Sequence, residues 1–305
     1  MRHVAACGVL VFVAGCGAAP PGEGVDAGAP VDAAAVDAAA PRYAVPMAVG
    51  MLPPSGLPEL SGLVASRAHA GVLWAVNDSG NPAELFALDL RGGRLATYAI
   101  TGATHVDWED LALSVGPDGA QLVIADVGDN LARETDGARG RADIQLYRVT
   151  EPDPAAGDAT LAAERLDLVY PDRPWDCEGV FVDPRSGDVH FVTKSASPAP
   201  LYLARAPLVP GAPITLEREA MLDFSLVTAA DMSADGARVV VRGYRLVRVW
   251  ELGAADSIAA ALARPFLPAM PGSAAEAIAF EREGYGLYTV AEGDAATLFY
   301  LPSGP

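Results

Sequence analysis

The chain is short of the groups that cross-link a fold or carry familiar chemistry. Among 305 residues there are three cysteines and four histidines. Cys7 and Cys16 fall in an N-terminal export segment, so the folded part keeps only Cys177 and can form no intrachain disulfide. Cys177 reads as a small buried hydrophobe. A catalytic thiol would need a histidine beside it, and His190 is the nearest in sequence. Basic residues are also few: 21 Lys and Arg stand against 39 Asp and Glu, a formal charge of −18. That balance argues against nucleic acid as a partner, because phosphate binding needs a basic face. It argues equally against simple adsorption to anionic headgroups. It suits cation binding, and also plain solubility. There is no Gly-x-Ser-x-Gly elbow, no phosphate loop and no His-x-His or His-Glu-x-x-His zinc pattern. No second long apolar run follows the N-terminus, so no transmembrane helix is expected.

What is present begins with an export pattern. Arg2 and His3 precede an apolar run from Val4 to Val13, and the small residues Ala14 and Gly15 follow. The run is shorter than the ~20 residues needed to cross a bilayer. Val13-Ala14-Gly15-Cys16 resembles the lipobox of bacterial lipoproteins. This predicts a signal peptide over 1–15, cleavage before Cys16 and lipid on its sulfur. The plainer alternative is a secretory signal whose cysteine is incidental. Gly17, rather than Asp, follows the cysteine; by resemblance to enterobacterial sorting, this favours the outer membrane. Residues 16–41 are Cys16 and then a stretch dominated by Ala, Pro, Gly and Asp with a stuttering Val-Asp-Ala repeat. Such a segment buries too little to offset its ordering entropy, and reads as a flexible tether. The globular domain is placed at 42–305, with the 51% apolar composition ample for a core.

Within that domain lies a weak repeat. Leu60-Ser61-Gly62-Leu63-Val64, Trp108-Glu109-Asp110-Leu111-Ala112, Cys177-Glu178-Gly179-Val180-Phe181, Ala229-Ala230-Asp231-Met232-Ser233 and Ala275-Glu276-Ala277-Ile278-Ala279 share a small or acidic residue followed by apolar positions. They recur every ~45–70 residues, the length of a four-stranded propeller blade with insertions. Turn chemistry at Gly116-Pro117-Asp118-Gly119, at 183–187 and at 234–236 separates first strands from second. Further strands are expected at 84–90, 94–100, 144–149, 161–169, 201–204, 214–222 and 246–252, with a helix at 257–263. The fifth repeat supplies three strands, and Tyr43 to Met51 can provide the fourth. The predicted fold is therefore all-β: a β-propeller of five blades, each of four antiparallel strands, closed by an N-terminal strand in the last blade. A pair of β-sandwiches is the alternative, but it leaves the recurring first strand unexplained.

In a propeller the inner strands start, and the second strands end, on one face. Aligning the repeats places Ser61, Glu109, Glu178, Ala230 and Glu276 in one ring around the channel mouth. A second ring holds Asp78, Asp126, Lys194, Arg242 and Glu292, with Glu59, Asn77, Asp107, Asp110, Asp176, Asp231 and Tyr244 nearby. Carboxylates crowded in a narrow channel raise one another's pKa and need compensation. Ca²⁺, which takes several oxygen ligands from scattered loops, is one candidate, with Glu109, Asp126, Glu178 and Glu276 as ligands. Lys194 and Arg242 paired with Glu292 and Glu178, leaving only water, are the other. A ligand mouth is expected from Ser61, Asp78, Asp107, Lys194, Arg242, Tyr244 and Glu292. The 130–143 insertion, with Arg133, Arg139 and Arg141, reads either as a cover over that mouth or as a surface loop. Trp74, Trp108, Trp175 and Trp250 read mainly as packing, and His105 as a loop residue near the mouth.

The segments at Leu60–Leu63, Asp107–Ala112, Asp126-Val127-Gly128-Asp129-Asn130 and Cys177–Val180 resemble bacterial propeller proteins loosely similar to the phytase-like and SdiA-regulated families. The acidic first strand is also similar to that of calcium-activated nucleotidases, which are five-bladed and hold Ca²⁺ centrally. Ala230 departs from the acidic pattern, and the basic residues that bind phosphate in phytases have no counterparts here. Two readings follow. One is a lipid-anchored envelope propeller that binds a small molecule or protein partner at an acidic mouth. The other is a Ca²⁺-dependent phosphohydrolase, with Glu109, Glu178 and Arg242 as catalytic candidates. A glycosidase using Glu109 and Glu276 is a weaker third.

Overall fold

The computed structural model describes residues 42–304, apart from 55, 118, 197 and 271–274. The expected signal peptide, Cys16 and the tether lie outside the described residues. Strand β1 (Met47–Met51) precedes the first blade, which holds β2 (Leu60–Ala65), β3 (Val72–Asn77), β4 (Glu84–Asp89) and β5 (Arg94–Thr101). The second blade begins with β6 (Trp108–Gly116) and β7 (Gly119–Asp126). After helix α1 (Asn130–Glu134) come β8 (Ile144–Thr150), β9 (Ala159–Ala162) and β10 (Glu164–Val169). The third holds β11 (Cys177–Val182), β12 (Val189–Thr193), β13 (Ala199–Ala204) and, after the short β14 (Ile214–Thr215), β15 (Glu217–Leu222). The fourth is β16 (Val227–Met232), β17 (Arg238–Gly243), β18 (Leu246–Glu251), helix α2 (Ile258–Leu262) and β19 (Leu267–Ala269). The fifth is β20 (Ala277–Phe280), β21 (Leu287–Val290) and β22 (Thr297–Leu301), and β1 pairs antiparallel with β22 to complete it. Five sheets of four or five strands therefore form the ring of a β-propeller, with β2, β6, β11, β16 and β20 innermost and in mutual contact.

Two edges are more elaborate than the sequence suggests. The stretch expected as one strand over 161–169 breaks at Ala163: β9 runs parallel to β5 of the first blade, and β10 forms the outer strand of the second. Likewise 214–222 divides, with β14 parallel to β10 of the second blade and β15 in the third. Each segment thus covers the preceding blade's exposed edge before supplying the outer strand of its own blade.

The core is divided among the five blade-to-blade contacts. Alternate residues of a strand point to opposite neighbours, so Leu73 packs toward the fifth blade and Trp74 toward the second. This is why the inner strands β2, β11 and β16 are buried along their whole length. Each large apolar side chain buried this way contributes about 1.5–3 kcal/mol, against about 0–1 for an exposed ion pair. Blade packing therefore holds the ring together. Trp74, Trp108 and Trp250 belong to this packing; Trp74 Nε1 donates to Glu151 at 2.7 Å and Trp108 Nε1 to Thr104 O at 3.0 Å. Helix α2 starts at Ser257, whose Oγ accepts from Ala260 N. Among the described residues, no helix is long and apolar enough to cross a membrane.

Candidate functional site

The mouth is built by a repeated irregularity. In each of the first four blades, pairing of the inner strand with the second slips by one residue near its start. A β-bulge of this kind leaves one residue unpaired and re-aims its side chain. The bulged residues are Ser61, Glu109, Glu178 and Thr228. Thr228, rather than Ala230, therefore holds the fourth position of the ring; Ala230 pairs with Val241 two residues deeper. In the fifth blade Glu276 stands just before the first pair, its N–H on Val290 O at 3.3 Å.

A second equivalence runs between the residue after the second strand and the residue before the inner one. Asp78 N donates to Glu59 O at 2.7 Å, Val127 N to Asp107 O at 3.1 Å and Lys194 N to Asp176 O at 2.9 Å. Side chains of Asp107 and Asp176 are thereby delivered to the mouth beside Glu109 and Glu178. The same register moves Asp126 away from it. Asp126 pairs with Trp108 and accepts Arg141 Nη1 at 2.8 Å and Asp107 N at 3.1 Å. Arg242 is likewise inside the blade, fully buried, with Nε on Ala275 O at 3.0 Å. Burial lowers its pKa to about 10.

Carboxylate oxygens of Asp78, Asp107 and Glu109 all lie within 4.8 Å of one another, and so do those of Glu109, Asp176 and Glu178. The structure thus brings Asp78, Asp107, Glu109 and Glu178 together, adds Asp176, and leaves Asp126 and Glu276 outside both groups. Lys194, the only lysine of the chain, donates to Glu178 Oε1 at 2.6 Å and lies 5.3 Å from the Tyr244 ring. Arg133 pairs with Asp176 and approaches Glu178 at 4.0 Å. The 130–143 insertion is therefore folded onto the mouth. Asp129 caps α1 by accepting Ala132 N at 2.9 Å, and Arg133 and Arg141 each neutralise a buried acid.

Asp78, Asp107 and Glu109 have no basic partner among the described residues. Glu109 is only 3% exposed. Ser61 Oγ lies 3.3 Å from its Oε2, but makes a shorter contact to the Glu109 main-chain oxygen. A hydroxyl has one proton, so the Glu109 main-chain oxygen and carboxylate compete for it, and no basic side chain among the described residues joins them. Gly128 packs against these oxygens: a Cβ there would fall 2.2 Å from Glu109 Oε1 and 2.6 Å from Asp107 Oδ2. The glycine of Asp126-Val127-Gly128-Asp129-Asn130 is thus required by close approach to the carboxylates.

The electrostatic consequence is uniform. Burial, then the charge of Asp78, pushes Asp107 up to about 7. Burial pushes Glu178 up to about 8 although Lys194 pulls the other way. Glu292 rises to about 7 through burial and the charge of Glu276. Glu109 rises well above its ordinary value through burial and the charge of Glu178; Asp176 and Glu276 also rise, mainly through burial. With these pKa values raised on folding, the native state binds more protons than the unfolded chain between about pH 4 and pH 8. Stability must then fall as pH rises through that window. In chelator, the melting temperature is expected to drop by roughly 5 °C from pH 5 to pH 8, on the scale of about 2–4 °C per kcal/mol for a large domain. Partial solvation of Asp107 and Glu292 damps their share. A melt that rises or stays flat over this range would contradict the assignment.

Asp110, fully buried on the inner strand β6, ties inner strands together. Its Oδ1 accepts Leu111 N at 2.8 Å, and its Oδ2 accepts Val180 N at 2.8 Å and Ala230 N at 3.1 Å. One carboxylate thus links inner strands of the second, third and fourth blades. Small residues make room for it: Gly62 lies so close to Asp110 and Leu111 that a Cβ would sit 2.7 Å from their backbone.

Other sequence candidates lie elsewhere. His105 stacks on Trp108 at 4.4 Å, with Nδ1 3.2 Å from Pro82 O. His190 is engaged by Glu219 at 2.8 Å, and Cys177 is buried with Sγ 3.5 Å from Val192 O. Trp175 lies beneath the Arg173 guanidinium, 3.4 Å from its ring centroid.

No family model matches the chain, and no curated protein matches it. Among solved structures, the chain is similar to hydrazine synthase of Kuenenia stuttgartiensis at 14% identity and a TM-score of 0.41, covering 77% of this chain and 56% of that one. The chain thus spans little more than half the length of that protein. It is similar to the PQQ-bound aldose sugar dehydrogenase of Streptomyces coelicolor at 10% identity and a TM-score of 0.48, covering 87% and 99% of the two chains. It is also similar to a gluconolactonase of Xanthomonas campestris at 14% identity and a TM-score of 0.45, covering 85% and 89%. At these values no substrate, cofactor or reaction transfers to this chain.

Proposed function

We propose that this protein is a lipid-anchored propeller of the cell envelope that binds a divalent cation, Ca²⁺ by donor chemistry, at its channel mouth and uses that mouth to hold a ligand or protein partner. The observation that carries the reading is the Asp78, Asp107 and Glu109 group, where the buried Glu109 carboxylate has only a long contact from Ser61 Oγ and, among the described residues, no basic partner. The donors are all carboxylate oxygens, which suit hard cations such as Ca²⁺ and not thiolate- or imidazole-seeking metals. Anchoring rests on the lipobox-like Val13-Ala14-Gly15-Cys16 and the Ala/Pro/Gly/Asp tether.

A melt at pH 8 in EDTA, then with excess Ca²⁺, tests the cation. A rise in melting temperature of several degrees on adding Ca²⁺ is expected, following RT ln(1 + [L]/Kd). An unchanged melt would remove the cation from the account. For the anchor, Cys16→Ser should release the domain from membranes with its melt unaltered; a variant that stays membrane-bound would contradict it. Phosphohydrolysis is the second reading, favoured by Lys194 standing beside the acidic group, where a phosphate oxygen could meet both it and a cation. A phosphatase screen with and without Ca²⁺ separates the two readings. Turnover that depends on Ca²⁺ and is lost in Lys194→Met would establish hydrolysis.

A further inference from the structure

We propose that the rim of the mouth carries a pocket for a small amphipathic anion, an apolar ring system bearing one carboxylate or sulfonate, and that Leu226, Tyr244, Arg245 and Leu246 hold it. This names a ligand class for the mouth and rests on the ligand-holding part of the reading above; it needs no bound cation.

The pocket lies where the loop before β16 meets the turn between β17 and β18. Its volume is about 290 Å³, and Ser225, Leu226, Gly243, Tyr244, Arg245 and Leu246 line it. Both segments stand on the mouth face of the fourth blade, and Lys194 Nζ is 5.3 Å from the Tyr244 ring centroid. The backbone fixes the pocket's shape. Leu226 N donates to Ser195 O at 2.8 Å, and Gly243 approaches the loop so closely that a Cβ would fall 2.8 Å from Leu226 O. A pocket formed before its ligand arrives lowers the ordering cost of binding.

Leu226 is the independent sign of a ligand. Its φ is 52°, in the left-handed region that residues with a Cβ avoid. Among the described residues the other non-glycines with positive φ are Asp136 and Ala295, neither of them a large apolar residue. Burial does not offset the strain: Leu226 is 44% exposed, and Leu246 of the same pocket 46%. Folding alone favours Gly or Asn in this conformation. An apolar side chain held in strained backbone and left exposed in a cavity points to a contact supplied from outside.

Charge selects the class. The chain has a formal charge of −18, yet no acid lines this pocket. Arg245 does line it, is exposed, and makes no ion pair among the described residues. Lys194 is already held by Glu178 Oε1 at 2.6 Å, so the Arg245 guanidinium is the cation left to receive an anion. Its paired N–H donors match a carboxylate or sulfonate, while Tyr244 and the two leucines take the apolar body.

The test uses two fluorescent probes with the same rings: anilinonaphthalene sulfonate, and N-phenylnaphthylamine, which lacks the sulfonate. Each is titrated into the full chain in EDTA, with circular dichroism to confirm folding. The sulfonate is expected to saturate at one site per chain and to bind at least about tenfold more tightly than the uncharged probe, the worth of one charge-assisted contact. Arg245→Gln should weaken the sulfonate by about tenfold and leave the uncharged probe unchanged. Leu226→Asn should weaken both by about tenfold, with a melting temperature no lower than that of the unaltered protein. No binding to the unaltered protein, equal affinity for the two probes, or unchanged affinity in either folded variant would overturn the inference. Because the titration contains no Ca²⁺, such a failure leaves the Ca²⁺ response of the melt standing, and an absent Ca²⁺ response leaves probe binding standing.

Discussion

Replacing Glu109 with Gln is expected to make the cation-free protein more stable at pH 8 and to abolish its stabilisation by Ca²⁺. Ordinarily, truncating or neutralising a buried polar residue costs stability. Here the sign reverses, because Glu109 is buried against Glu178, Asp78 and Asp107 and its charge is opposed by all of them. Glutamine keeps the shape and removes the charge. A gain of roughly 5 °C in EDTA at pH 8 corresponds to relief of about 1–3 kcal/mol. Because burial and its acidic neighbours raise the Glu109 pKa, the difference between the two proteins should shrink as the pH falls toward 5. The Ca²⁺-induced rise should vanish in the variant at both pH values. Melting curves of both proteins at pH 5 and 8, with EDTA or Ca²⁺, check all three statements. A variant that is less stable at both pH values and still responds to Ca²⁺ would show that Glu109 is merely a packing residue.

The second large effect is expected one residue on. Asp110→Ala removes the acceptor for three buried backbone N–H groups on three different blades. Each stranded donor costs about 1–3 kcal/mol, so a loss of about 4 kcal/mol or more is expected. That should lower the melting temperature by roughly 10 °C, on the scale set by domain size. Asp110→Asn keeps one carbonyl oxygen and should lose about half as much. Chemical denaturation of both variants provides the comparison. Equal midpoints for Asp110→Ala and the unaltered protein would mean that the inner strands hold their spacing without the carboxylate. The contrast with Glu109 is instructive. Both are buried acids in the channel and burial raises both, but one is surrounded by amide donors and the other by acids. The sign of each substitution follows from those neighbours and not from burial.

The ring was legible in the sequence because each blade repeats one short pattern, and a repeat survives uncertainty in any single strand. The closing role of β1 followed from counting: a fifth blade with three strands needs a fourth. The broken strands at Ala163 and Leu216 were not legible, because both halves of each are β-formers and only tertiary pairing decides which blade a half joins. At the mouth, Glu109 and Glu178 were found from their place in the repeat, and Lys194 from the end of the second strand. Thr228 and Asp126 were misaligned for one reason. A bulge adds one residue and flips every later side chain to the other face, and nothing in the composition of Trp108–Asp110 marks where the extra residue sits. Asp176 stood among the neighbours of the predicted rings, and its alignment with Asp107 through Lys194 and Val127 became visible only in the backbone pairing. The arginines of the insertion were read as free to meet a ligand or solvent. Arg133 and Arg141 instead turn back onto Asp176 and Asp126, contacts that link α1 and its following loop to acids the sequence gives no means of pairing.

The central claim is that the mouth carboxylates surround a cation. The most direct measurement is a crystal of the protein grown with Ca²⁺ at pH 8, with anomalous differences collected at long wavelength. The account predicts an anomalous peak about 2.3–2.6 Å from a Glu109 carboxylate oxygen, the usual Ca²⁺–oxygen distance. A map with no anomalous peak there, and Glu109 instead sharing a proton directly with Asp107 or Glu178, would contradict it.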